Sequence, residues 1–147
     1  MQTINDTKII RVANSQVAGT TAVNSSLVST ANAKSFEFDA IFGDVTDASV
    51  LGLKIQGGEE SNGSDMADLT GASVSFTADA TSGDNKILRI AIERPLNTYL
   101  RAVVTRTVAN AVVDGVICLV SDGRSVPVTD DASVVGNGGA IASPSQV

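Results

Sequence analysis

The chain has 147 residues, with 16 acidic side chains against 10 basic ones, no histidine, no tryptophan and one cysteine. Without histidine there is no imidazole base, no Ser-His or Cys-His nucleophile pair and no His-ligated metal. A lone cysteine excludes an internal disulfide framework and a thiolate cluster, and a net charge of −6 opposes general nucleic-acid binding.

One domain is expected at this length. Hydrophobic residues make up 43 % but aromatics only 3 %, so the core falls to Val, Ile, Leu and Ala, helped by Phe36, Phe38, Phe42 and Phe76. Met1 to Val12 holds no apolar run that would serve as a signal-peptide core, and no stretch approaches the ~18 apolar residues of a membrane span.

In chain order, Ile9, Ile10 and Val12 suggest a short strand, and Thr20 to Thr30 a second with Val23 and Leu27 as apolar points. Phe36, Phe38, Ala40 and Phe42 alternate with Glu37 and Asp39, the period of a half-buried strand. Ser49 to Gln56 follows, with Leu51, Leu53 and Ile55 on one face and Val50, Gly52 and Lys54 on the other. Gly57 to Asp68 is polar, acidic and glycine-rich, and reads as a long loop. Ser73 to Ala78 alternates again, and Gly83-Asp84-Asn85 is a turn. Lys86 to Arg94 places Leu88, Ile90 and Ile92 opposite Arg89 and Glu93. Pro95 to Thr98 has the length of a hairpin connection. Tyr99 to Thr107 then places Leu100, Ala102 and Val104 opposite Tyr99, Arg101 and Val103. Val112 to Ser121 is a strand enclosing Cys118, expected as a buried small hydrophobe. After the Asp122-Gly123 turn, Val126 to Val128 reads as a terminal strand that Pro127 confines to an edge.

Many short strands separated by turn signals, with no 3.6-residue stripe, predict an all-β fold: an antiparallel β-sandwich or jelly roll with flexible N- and C-terminal segments. The expected organisation is a polar N-terminal segment over 1–33, extended or in short strands and a candidate partner contact. The sandwich follows over 34–130, then a flexible Gly/Ala/Ser tail over 131–147.

Charge is segregated. Residues 35–84 carry ten acids and one base, net −9, whereas residues 86–106 carry five bases and one acid, net +4. The two regions either form a dipolar surface suited to assembly or neutralise each other within one molecule. Arg94 and Arg101 flank the predicted hairpin. If the Glu37/Asp39 strand lies beside it, an Arg-carboxylate network would order the hairpin or bridge subunits. Arg94, Tyr99, Arg101 and Arg106, with Glu37 and Asp39, are therefore the candidate interface residues. The segment around Thr7 to Val17 is a second candidate dock. Glu59, Glu60, Asp65 and Asp68 supply oxygen ligands but not the spacing of a calcium loop, and read as a solvated loop. Asp44 and Asp47 read as turn formers. Gly136, Gly138 and Gly139 lack the lysine of a phosphate-cradling loop. Ser125 has no partner base, and the arginines lack the interleaved rings of a single-strand nucleic-acid groove. No catalytic, cofactor-binding or metal-binding residue is expected, and the chain is read as a non-enzyme.

Several segments, in order over roughly residues 35 to 130, resemble the small capsid cement (decoration) proteins of tailed double-stranded DNA bacteriophages. They are Phe36-Glu37-Phe38-Asp39, Val45-Thr46-Asp47, Leu53-Lys54-Ile55-Gln56-Gly57-Gly58 and Met66-Ala67-Asp68-Leu69-Thr70-Gly71. Ile90-Ala91-Ile92-Glu93-Arg94-Pro95, Tyr99-Leu100-Arg101-Ala102-Val103-Val104-Thr105-Arg106 and Arg124-Ser125-Val126-Pro127-Val128 complete the set. The resemblance implies a β-sandwich or jelly roll on the outer surface of a phage head, assembled in the host cytoplasm. Its partners would be the major capsid protein and itself, as homodimer or homotrimer, with no cofactor, nucleic acid or membrane. The alternatives are another virion component (head fibre base, tail or baseplate protein) and, with less support, a carbohydrate- or calcium-binding module, for which the scarcity of aromatic rings is unfavourable.

Overall fold

The structure is a computed structural model and describes residues 3–123 and 127–139. After a helical turn α1 (Thr3–Asp6) come β1 (Lys8–Ala13), β2 (Gln16–Gly19), β3 (Val23–Asn24), β4 (Val28–Ser29) and β5 (Ser35–Val45). They are followed by β6 (Val50–Gly58), β7 (Ala67–Thr77), β8 (Ile87–Glu93), β9 (Tyr99–Thr107) and β10 (Ala111–Ser121). The first sheet has the order β1-β10-β5-β8, with β2 also on β10; the second has the order β3-β9-β6-β7, with β4 also on β9. All pairings between named strands are antiparallel. Counting β1/β2 and β3/β4 each as one interrupted strand, the sheets read first-eighth-third-sixth and second-seventh-fourth-fifth. That connectivity is a jelly roll, and it confirms the all-β sandwich expected from strand periodicity.

The alternation seen in the sequence explains the layers. In β5, Phe36, Phe38, Ala40 and Phe42 are at most 1 % exposed, while Glu37, Asp39 and Ile41 lie on the outer face. Leu51, Leu53 and Ile55 of β6 and Leu100, Ala102 and Val104 of β9 face them from the second sheet. Val113, Val116 and Cys118 complete the core from β10. Burying each of the larger side chains contributes roughly 1.5–3 kcal/mol. Strands β1 to β4 come from the segment before residue 34 and pair with β10 and β9, so Val12, Val23 and Val28 belong to the same core.

Three local expectations are corrected. Pro95–Thr98 is not a hairpin: β8 belongs to the first sheet and β9 to the second, so this connection crosses between sheets. The loop after β6 is shorter than expected, because β6 runs to Gly58 and β7 begins at Ala67. Gly71 (φ +81) sits where the β6–β7 register jumps from Lys54↔Ser73 to Gln56↔Asp68. The extra residues break the period of two and hide the start of the strand. Pro127 and Val128 lie in no strand, although the Val128 N–H donates to the Asn5 carbonyl at 2.8 Å; Arg124, Ser125 and Val126 lie outside the described residues. Ser133 Oγ accepts from the Arg11 N–H at 3.1 Å, so part of the expected tail runs beside β1. Among the described residues no helix is long and apolar enough to cross a membrane.

Candidate functional site

The six interface candidates do not assemble into one face. Period two in β9 sends Tyr99 and Arg101 to the outer face of the second sheet, but Arg106, five residues beyond Arg101, to the inner face. Arg106 is 4 % exposed. Its Nε donates to the Thr21 carbonyl at 2.8 Å, and its Nη1 donates to the Val17 and Ala111 carbonyls, both at 2.6 Å. Arg106 is thus a buried pin joining the ends of β9 and β10 to the segment around β2, and the expectation that it belongs to an exposed basic face is corrected. Arg94 is exposed at the start of the intersheet crossing, with φ 50, and its N–H donates to the Lys34 carbonyl at 2.6 Å.

The carboxylates Glu37 and Asp39 lie on the outer face of the first sheet, and the arginine they meet is Arg89, not Arg94 or Arg101. Arg89 faces Asp39 across the β5–β8 ladder. Its Nη2 donates to Glu37 Oε1, and its Nε lies 3.6 Å from Asp39 Oδ1, close enough for an ion pair but too long for a hydrogen bond. That oxygen is buried and accepts no hydrogen bond. Burial pushes the Asp39 carboxyl up, the neighbouring Glu37 pushes it further, and Arg89 only partly offsets them. Directly behind the sheet, burial raises the Cys118 thiol to about 12, with Asp39 and Glu37 adding to the effect. This cysteine is a core residue rather than a nucleophile.

On the second sheet a side-chain ladder crosses three strands. Arg101 Nε and Nη2 both donate to Gln56 Oε1, at 3.1 and 2.5 Å. Gln56 Nε2 donates to Asp68 Oδ1 at 2.7 Å, and Lys54 Nζ reaches Asp68 Oδ2 at 3.0 Å. The bonds from Gln56 and then Lys54 hold the Asp68 carboxyl below its usual range. Among the described residues, basic groups thus meet acids directly at Arg89 and Lys54, while Arg101 is held by an amide and Arg106 by carbonyls. The +4 and −9 regions are partly neutralised within the molecule.

The acidic loop serves its own end of the sandwich. Asp65 accepts the N–H groups of Glu59 at 2.8 Å and Glu60 at 3.1 Å. Glu59 accepts from Thr98 Oγ1 and N–H and from Asn97 Nδ2. Thr30 Oγ1 donates to the Asn97 carbonyl at 2.6 Å. The loop after β6 is thereby tied to the intersheet crossing. This knot escaped the sequence reading, because nothing in Glu59 or Asn97 signals that their loops meet. The fully solvated Leu96, 98 % exposed, stands on it. No group of three or more His, Cys, Asp or Glu side chains among the described residues is placed to hold a metal ion. Two clefts flank β1. One of about 380 Å³ is lined by Lys8, Ile10, Ala33, Val120 and Val128. The other, about 510 Å³ and mostly apolar, lies between Ile9, Leu119 and Val134.

No family model matches the chain, and no curated protein matches it in sequence. Some solved structures resemble it at low similarity. One is a chain of infectious bursal disease virus, Gx strain (16 % identity, TM-score 0.47, 82 % of this chain and 34 % of that one). A second is VP2 of an infectious bursal disease virus subviral particle (10 %, TM-score 0.49, 82 % and 34 %). A third is the carbohydrate-binding module CBM6cm-2 from Cellvibrio mixtus lichenase 5A, solved with cellotriose (7 %, TM-score 0.41, 82 % and 95 %). The chain spans about a third of the length of the viral chains. These likenesses concern the fold alone.

Proposed function

We propose that this jelly roll is a virion structural protein: a capsid cement (decoration) protein that binds the outer surface of a phage head and stabilises it by bridging major capsid proteins. The observation that carries the reading is the ordered set of segments resembling that family. Four of them fall on strands of a single sandwich, Phe36–Asp39 on β5, Leu53–Gly58 on β6, Ile90–Glu93 on β8 and Tyr99–Arg106 on β9, and Ala67–Gly71 opens β7. The surface chemistry supports it. Polar side chains engage one another on both outer faces, Arg89 with Glu37 on the first sheet and Arg101, Gln56, Asp68 and Lys54 on the second, which suits a rigid clamp whose avidity comes from many copies, each interface being modest. A standard interface takes about 800 Å² per partner, a small part of the 8573 Å² accessible on this chain. The reading assigns the protein no catalysis and no cofactor.

The test is to add purified protein to expanded heads of the parent phage that lack it. The expected result is saturable binding at hundreds of copies per head, with a raised melting temperature of the shell. Heads that neither bind the protein nor gain stability refute the proposal. Micrographs locating the protein in the tail or baseplate favour a different virion part.

A further inference from the structure

Strand β8 ends the first sheet, with β5 on one side and, among the described residues, no strand on the other. Its free side can be read residue by residue. The Phe42 N–H donates to the Lys86 carbonyl at 2.9 Å and the Arg94 N–H to the Lys34 carbonyl at 2.6 Å, with an unbroken register between. In an antiparallel ladder the bonded residues alternate. The even-numbered residues of β8 therefore bond β5, and Ile87, Arg89, Ala91 and Glu93 direct their N–H and C=O groups outward. Those four residues are also the exposed ones. Natural edge strands are blunted by charged side chains, proline, bulges or inward charges; β8 has an unbroken register without proline or inward charge, and its two outward charges, Arg89 and Glu93, are of opposite sign. Its inner row is also incompletely covered. Leu88, Ile90 and Ile92 are only partly buried, whereas Phe36, Phe38, Ala40 and Phe42 on the adjacent strand are at most 1 % exposed.

We propose that β8 pairs with β8 of a second copy across a two-fold axis at Ala91, joining the two first sheets into one. A two-fold axis normal to the sheet allows only registers centred on a residue, because opposed side chains must share a face. Centring on Arg89 sets like charges against each other. Centring on Ile90 sets Ile87 against Glu93. Centring on Ala91 places Arg89 of each copy opposite the partner's Glu93, twice by symmetry, with the smallest side chain at the axis. It forms roughly six new backbone hydrogen bonds from groups left outward in the monomer. On the inner side it stacks Ile90 against the partner's Ile92, closing the half-open row.

Sedimentation of the purified protein tests this independently of any capsid, so its failure and failure of the cement reading are distinguishable. The wild type is expected to sediment at twice the 15.0 kDa monomer mass. Ala91→Pro removes an N–H that the monomer does not use, and Glu93→Arg sets arginine against Arg89. Each should weaken the dimer by at least about tenfold while circular dichroism stays that of the folded monomer. A wild type that is monomeric at about 100 μM, one that is trimeric, or a dimer whose affinity either folded variant leaves unchanged would overturn the proposal.

Discussion

Removing the Arg106 guanidinium should cost stability and not merely an association. Arg106 is 4 % exposed and donates three hydrogen bonds to main-chain carbonyls, from Val17, Thr21 and Ala111. Hydrogen bonds from a charged donor are worth about 1.5–3 kcal/mol each, but three on one side chain are not additive. A further loss arises because carbonyls left buried lose their partners. Against these, the buried charge itself is expensive, and a side chain that keeps the volume recovers that cost. The net expectation is about 3–4 kcal/mol for Arg106→Ala and about 2–3 for Arg106→Met, whose stem still packs. Arg106→Lys should fall below both, since one ammonium reaches some of the carbonyls but lacks the planar fork. Urea unfolding followed by far-ultraviolet circular dichroism reads these values, provided the slope with denaturant is unchanged. Hydrogen exchange should quicken first at residues 16–21, the segment pinned by two of the bonds. An Arg106→Met protein within about 0.5 kcal/mol of wild type, with residues 16–21 still protected, would refute the pin.

Four further outcomes follow from the same geometry. Asp39 has its carboxyl raised by burial and Glu37. The charged form is therefore disfavoured in the fold, and the resulting cost is present above its folded pKa and relieved as pH falls below the ordinary carboxylate range. Asp39→Asn should then be neutral or stabilising at pH 7, with that gain vanishing near pH 3; a loss at pH 7 that grows with pH contradicts it. Asp79 has the opposite sign: bonds from Thr81 and Ser82 hold it at about 2, so its contribution is present above the ordinary range and lost as pH falls toward 2. Asp79→Ala should speed exchange of the Thr81 and Ser82 amides at neutral pH and make a much smaller difference as pH falls to the folded value. Cys118, with no exposed surface and a thiol near 12, should react with a disulfide reagent only at the rate of unfolding. Labelling that outpaces urea-monitored opening would show a route into the core. At Gly115 (φ +151), a Cβ would stand 2.8 Å from Arg11 Nη2 and 3.1 Å from the Ala13 carbonyl oxygen. Gly115→Ala should cost about 1–3 kcal/mol, read by thermal melting.

The strands and their faces were legible because both sheets bury one side only. The period of two in Phe36–Phe42, Leu51–Ile55 and Leu100–Val104 is the direct imprint of a half-buried sheet. It fails where the backbone inserts residues, as at Gly71, and where a connection leaves one sheet for the other. Pro95–Thr98 has the length of a hairpin, and length alone does not encode whether the next strand pairs with its predecessor. That one ambiguity scattered the candidate site. A hairpin would have put Arg94 beside Arg101 and both near Glu37; the crossing places them on different sheets, and Arg89 inherits the carboxylates. The signal for Arg89 was in the sequence, in its phase opposite Leu88 and Ile90, but only the strand order says that β5 lies next to it.

Arg106 shows a different limit. Its position in the alternation of β9 is inward, the same phase as Leu100, Ala102 and Val104, and that phase alone argued for burial. Charge suggested surface. Phase prevailed because this end of the sandwich offers three carbonyls converging from β10 and the segment around β2, and an arginine fork can satisfy them where an apolar side chain would leave them bare. Such a pin consumes the charge. Surface arginines counted from composition therefore overstate what is free to meet a partner: Arg101 is taken by Gln56 and Arg106 by the main chain, and Arg89 already holds Glu37 with one nitrogen. What the β8 edge directs outward is chiefly backbone. That is why the self-association argued above rests on unpaired N–H and C=O groups and a half-covered apolar row, with Arg89 and Glu93 setting the register and supplying little of the affinity.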